Sequence, residues 1–251
     1  MSTATPIDAT ELDFDNGSFD TAAFARQALA SPQSLAAVID HTLLKPEATR
    51  AQIEQICSEA AEYRFACAMV NPVWASVAVR ALEGTGVPVG VVIGFPLGAS
   101  LVSTLCAEAE SLTRLGAKEL DMVLPVGSLK SGDRKAVQHA ISTTAEVAHE
   151  HGALLKVILE NALLSTEEKL LASELSITAG ADFIKTSTGF AKTGATASDV
   201  ALMRGVAGAR CGVKAAGGIR TLDDVRAMLE AGANRIGASA SIAILSELGA
   251  E

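Results

Sequence analysis

The stretch "IDHTLLKPE", residues 39–47, ends the first β-rich run of the chain and contains no glycine. An open, doubly wound parallel sheet usually carries a glycine-rich phosphate turn directly after its first strand. A closed barrel of βα units has no such need, because its ligands gather at the far ends of all its strands. The missing glycine therefore weighs against the open sheet, and the rest of the chain bears on the same choice.

From residue 35 onward, short apolar runs alternate with longer amphipathic stretches. The runs are "LAAVID" (35–40), "FACAMV" (65–70), "VPVGVVI" (87–93), "KELDMVL" (118–124), "ALLKVIL" (153–159), "ADFIKT" (181–186), "CGVKAA" (211–216) and "NRIGAS" (234–239). The segments between them, such as "EATRAQIEQICSEAAEY", have helical period and composition. Ser165 with Glu168 and Thr221 with Asp224 have capping-box spacing, and Gly116, Gly152, Gly180 and Gly232 close helical stretches. Eight βα units in 251 residues predict an α/β fold, a single (β/α)8 TIM barrel, with the doubly wound sheet as the alternative. No linker interrupts the series, so the barrel is placed at 31–251 and an acidic N-terminal extension at 1–30. The first twenty residues hold five acids and no Lys or Arg and read as a flexible lead-in; "TAAFARQALA" (21–30) reads as a short helix.

Composition narrows the function. The chain is 49% hydrophobic but 4% aromatic, so the core must be built from Ala, Val, Leu and Ile. A net charge of −9 without a basic cluster argues against nucleic-acid or anionic-membrane binding. No apolar run has the length of a membrane span. The acidic start is unlike a signal or transit peptide. Cys57, Cys67, Cys106 and Cys211 form no C-x-x-C pair and read as reduced thiols of a cytoplasmic protein. His41, His139, His149 and His151 form no metal constellation and read as surface or packing residues, so no metal and no cofactor are expected. An anionic substrate would need backbone N–H groups or a few placed cations.

Polar residues recur at or near the strand ends: Asp40, Asp121, Glu160, Lys185 and Lys214. Lys185 stands after Phe183 and Ile184 and before the turn Thr186–Gly189, where a buried ammonium is costly unless paired or deprotonated. Period-2 alternation puts Lys185 with Phe183, and Lys214 with Gly212 and Ala216. If those faces line the barrel, two lysines of adjacent strands converge. Ammonium groups about 4 Å apart repel by roughly 4 kcal/mol at a dielectric near 20, enough to bring a lysine to near pH 7, and burial acts the same way. A neutral amine there is a Schiff-base nucleophile, with Asp121 placed to manage protons. The competing reading is an ion-paired set that ties strands together. Lys156 lies earlier in its run, deeper, and suits a structural salt bridge. "AAGGIRTLDDV" after the seventh run and "GASAS" in the eighth offer glycine turns and helix-start N–H groups of the kind that hold phosphate.

The segments "IDHTLLKP", "GFPLG", "ELDMV", "FIKTSTGF", "VKAAGGIR" and "RIGAS", over residues 35 to 245, resemble the signatures of the 2-deoxyribose-5-phosphate aldolase family. The resemblance implies metal-free, reversible cleavage of 2-deoxy-D-ribose 5-phosphate to acetaldehyde and D-glyceraldehyde 3-phosphate. It implies Lys185 as Schiff-base lysine, Lys214 as the lysine that lowers its pKa, and Asp121 as proton relay. It also implies Asp40 and Thr42 near the sugar hydroxyls, Thr188, Gly189, Gly217, Gly218 and Ser239 toward the phosphate, Cys67 near the site, and a homodimer. Some members end in a tyrosine that reaches the site; Tyr63 is the sole tyrosine here, so water, Asp121 and the lysines are left to move protons. A lysine aldolase with another phosphorylated substrate and a silent sugar-phosphate binder are the rival functions.

Overall fold

The structure is a computed structural model that describes residues 19–250. Eight parallel strands close into one barrel in chain order. They are β1 (Ile39–Leu43), β2 (Cys67–Val70), β3 (Val89–Ile93), β4 (Glu119–Val123), β5 (Leu154–Ile158), β6 (Phe183–Lys185), β7 (Gly212–Ala216) and β8 (Arg235–Ala238). β8 pairs back onto β1, with Asp40 opposite Gly237. Eight helices follow the strands: α3 (Arg50–Tyr63), α4 (Ala75–Ala81), α5 (Val102–Arg114), α7 (Arg134–Glu150), α8 (Thr166–Thr178), α9 (Ala197–Ala207), α10 (Leu222–Glu230) and α11 (Ser241–Ala250). Three further α-helices, α1 (Thr21–Ala28), α2 (Pro32–Ala36) and α6 (Val126–Lys130), and two 3-10 turns, Pro72–Trp74 and Asn161–Leu163, stand outside this series. The closed barrel, not the doubly wound sheet, is the fold.

All eight strands lie within or beside the runs that predict them. The first is displaced. Leu35 and Ala36 belong to α2, because the Ser31 hydroxyl accepts the Ser34 N–H and Pro32 occupies the first turn. The strand then continues through His41, Thr42 and Leu43, beyond the expected end at residue 40. β6 stops at Lys185, where a side chain takes over the ladder: the Thr186 hydroxyl donates to the Ala216 carbonyl at 3.0 Å and accepts the Ala216 N–H at 3.1 Å.

Both expected capping boxes form, Ser165 with Glu168 and Thr221 with Asp224, and a third joins Thr49 and Gln52. Gly232 ends α10 at φ 110°, and a Cβ there would lie 2.6 Å from the Arg204 stem. The helix expected at 21–30 is α1. It buries Phe24, Ala25 and Ala28, and Phe19 beside it lies under the Arg204 guanidinium, 4.0 Å from the ring centroid. The rest of the acidic lead-in, residues 1–18, lies outside the described residues. Among the described residues no helix is long and apolar enough to cross a membrane.

The core has two parts. Between strands and helices lies one continuous aliphatic layer, including Ile39, Val91, Leu120, Leu155, Ile184, Val213 and Ile236. Inside the barrel, Leu44, Cys67, Met69 and Val92 fill the side of β1–β3 as a separate small cluster. The remaining interior is charged.

Candidate active site

Seven charged side chains fill that part of the barrel. Lys185, the last residue of β6, lies beside Lys214 of β7 in the strand register, and Lys214 lies beside Arg235 of β8. Asp121 joins them: its Oδ2 accepts from Lys185 Nζ at 2.7 Å and from Lys214 Nζ at 2.8 Å, while Oδ1 accepts from Lys156 Nζ at 2.8 Å. Asp40 accepts from Lys214 through Oδ2 and from Arg235 Nε at 2.5 Å through Oδ1. Glu119 pairs with Lys156 at 2.5 Å and with Arg235 at 2.7 Å. Lys156 and Lys214 are fully enclosed, whereas Lys185 keeps 2% of its surface open.

Neighbouring glycines make the room. A Cβ on Gly237 would come within 3.1 Å of Lys214 Cε, and one on Gly212 would meet the Phe183 ring at 2.2 Å. These small positions in β7 and β8 let a lysine stem and an aromatic ring share the barrel.

The electrostatics single out Lys185. Burial pushes its pKa down, the Asp121 carboxylate pulls it back, and Lys214 with Lys156 pushes it down again, leaving it at about 8. Burial is therefore the leading cause and repulsion from Lys214 a further one, which reverses the order the lysine spacing alone suggests. The result also lies above the expected value near 7, because the shared carboxylate opposes both effects. Burial alone would raise Asp121, but Lys156, Lys185 and Lys214 hold it well below the usual carboxylate range. Asp40 is held down in the same way by Arg235, Lys214 and Lys156. For Lys156 the burial penalty is outweighed by Asp121, Glu119 and Asp40, so it is raised and stays a cation.

Above Lys185 opens a cavity of about 440 Å³ at the C-terminal ends of the strands. Thr42, Thr188, Gly189, Gly217, Gly218 and Ser239 line it together with Lys185, so six of the seven residues expected near a substrate share one wall system with that lysine. Asp40 does not line it; it lies below, among its cations. Asp121 and Lys214 are also deeper than strand-end positions, each being the third residue of its strand. Gly217 and Gly218 turn at φ 86° and 81°, values that L side chains rarely adopt. Glu160, itself at φ 56°, accepts from the Thr188 hydroxyl, which in turn accepts the Phe190 N–H at 3.0 Å. That chain of contacts fixes the turn after β6. Phe190 meets Phe95 edge-on at 5.3 Å on the cavity rim.

Several features escaped the sequence reading. Lys45 and Arg220 line the same cavity and are the local cations an anionic substrate needs. Arg235 and Glu119 complete the charged interior; alternation with Gly237 and with Asp121 was the available signal. His41 points away from the interior, as alternation indicates, but it is buried rather than on the surface. It lies between Ser241 Oγ at 3.0 Å and Glu59 Oε2 at 2.7 Å and stacks on Phe65. Tyr63 also stacks on Phe65, just before β2, at the end of the barrel opposite the cavity. Asp40, Cys67 and Glu119 bring ligand atoms within 4.8 Å of one another. Both carboxylates are already held by Arg235 and lysines, and burial raises the Cys67 thiol well above its ordinary range, so this trio is poorly suited to a metal ion.

A closed (β/α)8 barrel whose mouth holds a buried, pKa-lowered lysine beside a shared carboxylate is a scaffold for amine-based carbonyl chemistry. The family described as DeoC/LacD family aldolase matches residues 34–247, and the chain belongs to it. It is 50% identical over 218 residues to the deoxyribose-phosphate aldolase of Caldanaerobacter subterraneus subsp. tengcongensis, covering 86% of this chain and 94% of that one. The enzyme of the same name from Lysinibacillus sphaericus is 49% identical over 216 residues, 86% and 96% of the two chains. Among solved structures, the deoxyribose phosphate aldolase of Aeropyrum pernix, described as a unique tetramer, superposes with a TM-score of 0.84 at 35% identity over 92% of this chain and 97% of that one.

Proposed function

We propose that the protein is a deoxyribose-phosphate aldolase, cleaving 2-deoxy-D-ribose 5-phosphate reversibly to acetaldehyde and D-glyceraldehyde 3-phosphate through a Schiff base on Lys185. The observation that carries this reading is Lys185 at the floor of the cavity, with its pKa lowered and its amine 2.7 Å from a carboxylate. In the proposed cycle the neutral Nζ attacks the C1 aldehyde of the open-chain sugar. Asp121, bonded to the Lys185 amine, accepts the proton that this amine loses as the carbinolamine forms; Lys214 holds the same carboxylate oxygen, and a water in the cavity carries the proton on to the departing hydroxyl. The resulting iminium draws electrons from the C2–C3 bond as the C3 hydroxyl gives its proton to a water in the cavity. Glyceraldehyde 3-phosphate leaves, that water returns the proton to C2 of the enamine, and a second water hydrolyses the iminium so formed, releasing acetaldehyde and the free Lys185 amine. Thr42 and Asp40 are assigned to the hydroxyl end, Asp40 acting through Lys214.

The phosphate is assigned to the turns after β6, β7 and β8, at Thr188, Gly189, Gly217, Gly218 and Ser239, with Lys45 and Arg220 as countercharges on the same wall. Ser239→Glu should raise KM for the phosphorylated sugar by about 10- to 100-fold through like-charge repulsion and desolvation. Cleavage of unphosphorylated deoxyribose should fall much less, and steady-state kinetics on both sugars reads the difference. Gly218→Glu is the poorer test, since its positive φ would strain any side chain.

The function is tested by incubating the protein with 2-deoxy-D-ribose 5-phosphate and with fructose 1,6-bisphosphate and following aldehyde release. Turnover of the deoxy sugar alone supports the reading; turnover of the bisphosphate alone points to the rival lysine aldolase, and binding without turnover to a silent sugar-phosphate binder. A cytoplasmic homodimer, with residues 31–251 as catalytic domain and 1–30 as extension, completes the proposal. It rests on composition and family resemblance. Light scattering should give twice the mass of one chain; four times that mass would match the Aeropyrum relative instead.

A further inference from the structure

Arg235 and Glu119 form a second charged pair beneath the lysines. Arg235 donates through Nε to Asp40 and through one terminal nitrogen to both Glu119 oxygens, at 2.7 and 2.9 Å. Its guanidinium carbon is 5.9 Å from the Phe183 ring centroid. Both side chains are buried at the starts of β8 and β4, and neither lines the cavity. Neither can touch a substrate held there.

The groups facing this interior can be taken strand by strand. β1 supplies Asp40, β2 supplies Cys67, and β3 supplies no titratable side chain. β4 supplies Glu119 and Asp121, β5 Lys156, β6 Lys185, β7 Lys214 and β8 Arg235. Burial pushes the Cys67 thiol up, so it adds no charge. Three formal negative charges thus face four positive ones. A net charge in a dry interior is costly, and the set becomes neutral when one cation gives up its proton. Lys156 and Lys214 each bind two carboxylates at close range, and a guanidinium keeps its proton. Lys185 has one carboxylate partner, which it shares, and it alone of the four cations opens onto the cavity.

We propose that Arg235 and Glu119 are positioning residues for the reaction, fixing through the charge count of the closed interior how readily Lys185 becomes a free amine. The inference rests on Lys185 being the nucleophile and goes beyond the lysine–lysine pair. Its signature is opposite signs. Loss of Arg235 leaves the interior one positive charge short, so a protonated Lys185 is favoured. Loss of the Glu119 charge leaves it one negative charge short, so a neutral Lys185 is favoured.

The test reads the amine directly. Trace acetylation of Lys185 with acetic anhydride, followed by peptide mass spectrometry from pH 6 to 11, gives the titration midpoint without turnover. Arg235→Met should move the midpoint up by about one unit, and Glu119→Gln should move it down by about as much, the size expected of a unit charge about 10 Å away at a dielectric near 20. Arg235→Lys and the double variant E119Q/R235M should both stay near the wild type. If Arg235→Met does not fold, Glu119→Gln and Arg235→Lys carry the test. Midpoints that do not move, or that move the same way in both single variants, overturn the proposal. Aldehyde release by the wild type is measured separately, so a wrong substrate assignment and a wrong charge count fail in different experiments.

Discussion

Lys185→Ala should lose cleavage of 2-deoxy-D-ribose 5-phosphate by at least about 10⁴-fold, as expected when a covalent nucleophile is removed. The other amines cannot replace it. Lys156 and Lys214 are enclosed and held by carboxylates, and Lys45 on the cavity wall is exposed to water, whereas the three amines bonded to Asp121 are those of Lys156, Lys185 and Lys214. The fold should survive, because the substitution leaves Asp121 with two cations. Far-UV circular dichroism should match the wild type while coupled-assay turnover vanishes. Turnover within tenfold of wild type would remove Lys185 from the chemistry.

Lys214→Leu should also be impaired at neutral pH, by less than the loss of Lys185, and much less so in alkali. The Lys214 ammonium lowers the Lys185 pKa, although burial contributes more. An amine titrating at about 8 is roughly one-tenth neutral at pH 7. Removing the neighbouring charge raises that pKa by about one to three units, so the reactive fraction at pH 7 falls by about 10- to 1000-fold. Since the free amine is the form present above its pKa, adduct formation should recover as pH rises toward 10 or 11. Lys214→Arg keeps the charge with a different shape and should retain more neutral-pH trapping than the Leu variant. Acetaldehyde trapping measured against pH in both variants checks this. A Leu profile superimposable on the wild type would mean that burial alone sets Lys185, with Lys214 serving proton transfer.

The barrel and its central lysines were legible because both depend on local pattern. Buried parallel strands read as short apolar runs, and a lysine inside such a run is conspicuous at any register. The first strand was misplaced where the pattern was ambiguous: Leu35 and Ala36 are as apolar as strand residues, and the Ser31–Pro32 helix start outweighs them. Arg235 and Glu119 were missed because a charge at the beginning of a run reads as turn residue. Alternation puts both on the inward face, but which charges they meet there depends on strand stagger, which emerges only on closure. The neighbours of His41 were equally out of reach, since Glu59 lies 18 residues away and Ser241 lies 200. The order of causes at Lys185 needed the third partner: two lysines imply repulsion, but the Asp121 oxygen that both share works against it.

The Schiff base on Lys185 is most directly tested by reducing the protein with borohydride in the presence of acetaldehyde and mapping the product by peptide mass spectrometry. The expected result is one ethyl group per chain on the peptide containing Lys185, absent without acetaldehyde and absent from Lys185→Ala. An adduct on Lys214, Lys156 or Lys45, or no adduct in protein that still cleaves the sugar phosphate, would contradict it.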